Sequence, residues 1–79
     1  QMTYFATFFS HFGAMRYQQL CREQGIECRV MPVPRKLSAS CGTCVDYEAS
    51  GPLLEQMDTD VERVFAVEGE IYTLLLENE

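Results

Sequence analysis

The chain predicts an α+β fold of ferredoxin-like type, in the order β-α-β-β-α-β, with two helices on one face of an antiparallel or mixed sheet. Two observations predict it. Short apolar, aromatic-rich runs of strand character are separated by stretches whose apolar residues recur at helical spacing. Glycines and prolines then fall where such elements would have to stop. The sheet with its helices on one side would bury both patterns. The chain's 79 residues amount to one domain, expected over residues 2–79, that buries only about 60% of the surface exposed on unfolding. Met2 is expected to be the natural first residue and Gln1 an addition to it.

Tyr4 to Phe9 reads as a buried first strand. Ser10 can cap the helix that follows, its hydroxyl accepting from a backbone N–H two or three residues on. Between His11 and Gln24, the positions Ala14, Tyr17, Leu20 and Cys21 recur at three and four and form one apolar face. Gly25 suits the left-handed residue that ends a helix. Ile26 to Val33 is the second strand, with Ile26, Cys28 and Val30 on one face and Glu27, Arg29 and Met31 on the other. Pro32 and Pro34 cannot donate to a ladder, so this strand ends there or lies at an edge.

Arg35 to Gly42 carries no period and reads as a loop, and Cys44 to Tyr47 as a short third strand. Ser50, Gly51 and Pro52 open a second helix with an apolar face of Leu53, Leu54 and Met57, ended by Asp58, Thr59 and Asp60. Val61–Val67 and Ile71–Leu76, joined at Glu68-Gly69-Glu70, read as a hairpin that adds a C-terminal strand. Phe5, Phe9 or Tyr72 would lie on the sheet face away from the helices. Their joint exposure would make a homodimer the expectation.

The net charge of −6 conceals a gradient. Arg16, Arg22, Arg29, Arg35 and Lys36 face only Glu23 and Glu27 in residues 1–45, whereas residues 46–79 hold ten acids against Arg63. Five scattered cations are no concentrated basic face, so nucleic acid is not expected as a partner. No apolar run reaches the roughly 18 residues of a membrane span, and no signal-peptide pattern precedes the first strand. A reducing cytoplasm with free thiols is the expectation for the four cysteines.

The stretch from Pro32 to Cys44 is the one that packing does not explain. It sets Cys41 and Cys44 in a Cys-x-x-Cys pair behind Arg35-Lys36 and two serines. A thiol attacks as its thiolate, and near a pKa of about 8.5 only a small fraction is ionised at neutrality. Three aids are at hand: the cations Arg35 and Lys36, hydroxyl donors on Ser38 and Ser40, and backbone N–H groups around Gly42 if that residue takes a positive φ. Two intervening residues let both sulfurs meet across a turn, so Cys44 could resolve a species held on Cys41. Equally, Cys44 could point inward as a small apolar residue.

Cys21 and Cys28 fall on apolar faces and are expected in the core. A four-thiolate zinc site would need two Cys-x-x-Cys knuckles, and one exists, so zinc is the lesser reading and no metal site is expected. His11 is expected to be exposed at the first turn of the helix. The acidic tail of Glu68, Glu70, Glu77 and Glu79 reads as a solvated edge that discourages aggregation.

The run Met31-Pro32-Val33-Pro34-Arg35, then Leu37-Ser38 and Ser40-Cys41-Gly42, after a strand-helix-strand opening with Gly25-Ile26 at its turn, resembles the small bacterial domains of the putative selenium/sulfur carrier-like family. The resemblance covers nearly the whole chain, and its specific part is Pro-Arg-x-x-Ser-x-x-Cys-Gly. It implies a carrier and not a catalyst with its own substrate pocket. Cys41 would take sulfane sulfur or selenium from a donor such as a cysteine desulfurase, hold it without a cofactor, and pass it to an acceptor protein. Arg35, Ser38 and Gly42 would shape the presenting loop. Members of the family often have an aliphatic or small residue where this chain has Cys44, which leaves a dithiol variant open. The alternative class is a metal-binding or redox-regulated interaction module using the Cys41/Cys44 pair. A thiol oxidoreductase is weaker, because no helix N-terminus is expected at the first cysteine.

Overall fold

Five strands and one helix account for the regular structure of residues 1–56 and 60–79, which are those described in the computed structural model. The strands are β1 (Met2–Phe8), β2 (Glu27–Pro32), β3 (Thr43–Ala49), β4 (Val61–Glu68) and β5 (Ile71–Glu77), and the helix is α1 (His11–Glu23). They form one sheet in the order β2-β3-β1-β4-β5, antiparallel throughout.

The ferredoxin-like expectation is overturned at its second helix. Where Pro52 was to open it, Leu53 takes a φ of 59°, a left-handed value that breaks a right-handed helix. Only a 3₁₀ turn, Leu54–Gln56, follows. The expected helix was also short, and a helix of two turns is costly to nucleate without strong packing. Met57, Asp58 and Thr59, assigned to it from sequence, lie outside the described residues. The fold is therefore α+β with one helix on a five-strand antiparallel sheet.

Helix α1 begins as its sequence dictates. Ser10 has extended backbone, and its hydroxyl accepts from Gly13 N–H at 3.2 Å. The same hydroxyl donates to Asp60 Oδ2 at 2.9 Å. A carboxylate at this end offsets the positive pole of the helix, which has no acid in its own first turn. Gly25, at φ 72°, ends the helix as expected.

The helix packs over β2, β3 and β1. Between the layers lies a core of Tyr4, Ala6 and Phe8 from β1, Val45, Tyr47 and Ala49 from β3, Val61 and Val64 from β4, and Ala14, Tyr17 and Cys21 from α1. Tyr47 stacks on Tyr4 and meets Tyr17 edge-on, each at 5.4 Å between centroids. Its hydroxyl donates to the carbonyl of Pro52, tying the irregular segment to the sheet.

Phe5, Cys44 and Phe65 bury a smaller cluster on the opposite face, with Met31, Val67 and Tyr72 around it. Val33 and Leu37 of the β2–β3 connection pack onto it as well. That connection therefore helps cover the face expected to be bare. Phe5 is buried rather than offered for dimerisation.

Candidate functional site

The β2–β3 hairpin opens at its tip into a ten-residue loop, Val33–Gly42, closed at its base by Val33 N–H donating to Gly42 C=O at 3.1 Å. Pro34 C=O accepts from Leu37 N–H at 3.0 Å, making a tight turn that leaves Arg35 and Lys36 exposed. Gly42 has the positive φ, 72°, that the thiol loop was expected to need. Directly before it, Cys41 is half-buried against the edge of the helix-side core. Its Sγ–H donates to Thr43 C=O at 3.5 Å.

A clamp from β4 fixes the residues ahead of this thiol. Glu62 accepts from Ser40 N–H at 2.9 Å through Oε1 and from Ser40 Oγ–H at 3.1 Å through Oε2. The adjacent Arg63 donates to Ser38 C=O at 3.0 Å and to Glu77 Oε2 at 2.8 Å, and lies 3.6 Å from Glu62 Oε2. Glu62 reaches the loop because it is the extra residue of a β-bulge: Phe8 pairs with Val61 and Thr7 with Arg63, leaving Glu62 unmatched. Such bulges re-aim a side chain.

The bulge is itself well satisfied. Thr7 Oγ1 accepts from Arg63 N–H at 3.1 Å. Asn78 N–H donates to Glu62 C=O at 2.9 Å, and Asn78 Nδ2 to Val61 C=O at 3.0 Å. Glu62 and Arg63 were not singled out from sequence. The signal for them was the break in alternation at Val61-Glu62-Arg63-Val64, which fits no uninterrupted two-residue period.

The expected helpers of the thiol go elsewhere. Ser40 gives its hydroxyl to Glu62, and Ser38 takes part through its carbonyl. Lys36 Nζ donates to the carbonyl and carboxylate of Glu70 at 3.3 and 3.4 Å. With both side chains well exposed, that pair adds little stability. His11, exposed as expected, comes to the site across 32 residues, its Nδ1 3.3 Å from Thr43 Oγ1.

Cys44 and Cys41 stand on different sides. Cys44 is fully buried between Phe5 and Phe65, with Pro32 C=O at 3.9 Å from its sulfur. Burial first, then the nearby Asp46 and Cys41, push its thiol up to about 11, against a smaller opposing effect of Arg29. Cys21, also buried, is pushed up to about 11 by burial and by Cys28. Cys28 is half-buried against the core, with Gln18 C=O at 3.7 Å from its sulfur. All four cysteines are free thiols, and the Cys-x-x-Cys spacing does not bring about a bonded pair.

A family model described as putative Se/S carrier protein-like matches residues 3–58. The chain belongs to that family. The matched stretch takes in β1, α1, β2, the thiol loop and β3, so the family's segment and the clamped loop coincide. The clamp's other half, Glu62 and Arg63, lies beyond it. No curated protein and no solved structure matches the chain at a significant level. Among the described residues, no three His, Cys, Asp or Glu side chains are grouped to hold a metal ion. None of their helices is long and apolar enough to cross a membrane.

Proposed function

We propose that this member of the Se/S carrier-like family carries sulfane sulfur or selenium on Cys41 as a single-thiol shuttle in a reducing compartment such as the cytoplasm. The observation that carries the reading is the clamped loop. Cys41 is half-buried on a hairpin tip whose preceding residues are held by Glu62 and Arg63, while Cys21 and Cys44 are buried. In the transfer, the Cys41 thiolate attacks the terminal sulfur of a donor persulfide, R–S–SH. The R–S–S bond breaks, a Cys41 Sγ–S bond forms, and the donor thiolate leaves and takes up the proton that Cys41 gave up. The donor is reduced by the two electrons that Cys41 yields, so no further redox partner is required. Selenium transfer follows the same balance, with Sγ–Se in place of Sγ–S.

Cys44 could then attack Cys41 Sγ, breaking the Sγ–S bond so that the carried sulfur leaves as hydrosulfide and a Cys41–Cys44 disulfide remains, but only after leaving its pocket between Phe5 and Phe65. Delivery to an acceptor protein is therefore the favoured fate of the adduct. The metal-module alternative has less support, because no ligand group forms around Cys41 among the described residues.

Reduced protein incubated with a cysteine desulfurase and L-cysteine should gain about one sulfur atom by intact mass, and the gain should disappear on reduction. The Cys41→Ser variant should gain none, and Cys28→Ser should load normally. Identical spectra for wild type and Cys41→Ser would end the carrier reading.

A further inference from the structure

Three large apolar side chains stand in solvent at the start of α1. Phe9 is 37% exposed, Phe12 71% and Met15 43%. They lie at the thiol's end of the molecule. Thr7 pairs with Cys44, so Phe9 leaves β1 beside the start of β3. His11, between the two aromatics in sequence, is hydrogen-bonded to Thr43, two residues past Cys41. The guanidinium of Arg16 rests over the Phe12 ring, 5.1 Å from its centroid.

Apart from Asp60 at its cap, the exposed charges of α1 itself run opposite to that of the whole. The chain carries −6, yet no acid precedes Glu23 in its sequence. The outward positions of α1 are His11, Phe12, Met15, Arg16, Gln19, Arg22 and Glu23. Aromatic residues, Met and Arg are the types enriched at protein interfaces, and Asp, Glu and Lys the types depleted there. A partner that covers Phe12 removes its exposed apolar area from water, which favours association.

Resting on the carrier reading above, we propose that Phe9, Phe12, Met15 and Arg16 form the docking face for the protein that loads Cys41. Its complementary surface is an apolar recess that takes Phe12, rimmed by carboxylates that meet Arg16 and Arg22. The face and the thiol then engage together, so docking delivers the donor's persulfide to the hairpin tip. The surplus of acids elsewhere repels the same acidic surface and fixes the orientation of approach.

The test compares loading of wild type, Phe12→Ala and Arg16→Glu by two donors. One is a cysteine desulfurase supplied with L-cysteine, and the other is inorganic polysulfide, which has no surface to dock. With the protein donor, each variant should need about tenfold more donor for half-maximal loading, at an unchanged plateau rate, the size expected for loss of an interface anchor. With polysulfide, wild type and variants should load alike. Variants that match wild type toward the protein donor overturn the docking face, as does an equal defect with both donors. A change from dimer to monomer in either variant on gel filtration assigns the face to a second copy and also overturns it. Wild type that gains sulfur from neither donor fails at the carrier reading instead, so the two failures are distinct.

Discussion

A methyl group added at position 13 would place its carbon 1.6 Å from Asp60 Oδ2, so this buried glycine in the first turn of α1 makes room for the carboxylate at the helix cap. Alanine normally stabilises an exposed helix interior by about 1 kcal/mol relative to glycine. Here Gly13→Ala is expected to destabilise by about 1–3 kcal/mol, the usual cost of overpacking, read from the midpoint of urea unfolding. A higher midpoint would mean that Asp60 moves away without loss. The buried thiols make a second statement about stability. Cys21 and Cys44 are raised from an ordinary value near 9 to about 11, and burial also raises Tyr17 and Tyr47. Between those limits the folded thiol keeps its proton and the unfolded one has lost it, so the unfolded chain is favoured as pH rises. Stability should be level below about pH 8 and fall from about pH 9 to 11, by at most about 1.4 kcal/mol per pH unit for each thiol. Cys44→Ala should flatten that fall while lowering the plateau. A melting temperature that is constant to pH 11 in wild type would contradict the burial of these sulfurs.

One β-bulge decides how the thiol loop is held, and no regular strand could have done it. Because Glu62 is the unmatched residue, its carboxylate leaves the ladder and takes both donors of Ser40. Glu62→Ala should lower stability by about 1–2 kcal/mol through loss of the two hydrogen bonds from Ser40 to a charged carboxylate. It should also speed alkylation of Cys41 by iodoacetamide several-fold, as mapped by peptide mass, with Cys21 and Cys44 still protected. Unchanged alkylation would show that the clamp does not govern access to the sulfur. This element also marks what the sequence could and could not tell. The strands, the capped helix, Gly25 and the C-terminal hairpin were legible, because each rests on a local period or a local backbone need. That Gly42 could take the positive φ it has was legible for the same reason, as a condition on the loop and not as a prediction. The second helix was misread: Leu53 and Leu54 fit a helical face, but the turn at Leu53 overrode so short a pattern. The clamp was not legible, because Glu62 and Ser40 are 22 residues apart and meet only once the sheet order is fixed. Likewise, the orientation of Cys44 depends on which face β3 turns toward Phe5 and Phe65.

At the scale of the whole molecule, the two edges of the sheet are finished differently. Strand β2 is blunted by Glu27 and Arg29 and stopped by Pro32, which cannot donate to a new neighbour. Strand β5 has no charge from Ile71 through Leu76, and Ile71 and Leu74 are 68% and 47% exposed. Its protection is confined to Glu70 and Glu77 at the ends and to the extra residue where its register with β4 shifts. With one helix covering β2, β3 and β1, no comparable element among the described residues shields this side. An uncharged antiparallel edge can pair with its own copy about a two-fold axis, every contact then occurring twice. Weak self-association through β5 is therefore expected as concentration rises, separate from the α1 face. Sedimentation velocity over a range of concentrations should show the sedimentation coefficient increasing for wild type and staying constant for Leu74→Lys. Urea midpoints of the two should agree within about 0.5 kcal/mol, since Leu74 is an exposed position. Association that persists in Leu74→Lys would place the contact elsewhere. A wild type that stays monomeric at the highest concentration would mean that Glu70, Glu77 and the bulge suffice to protect the edge.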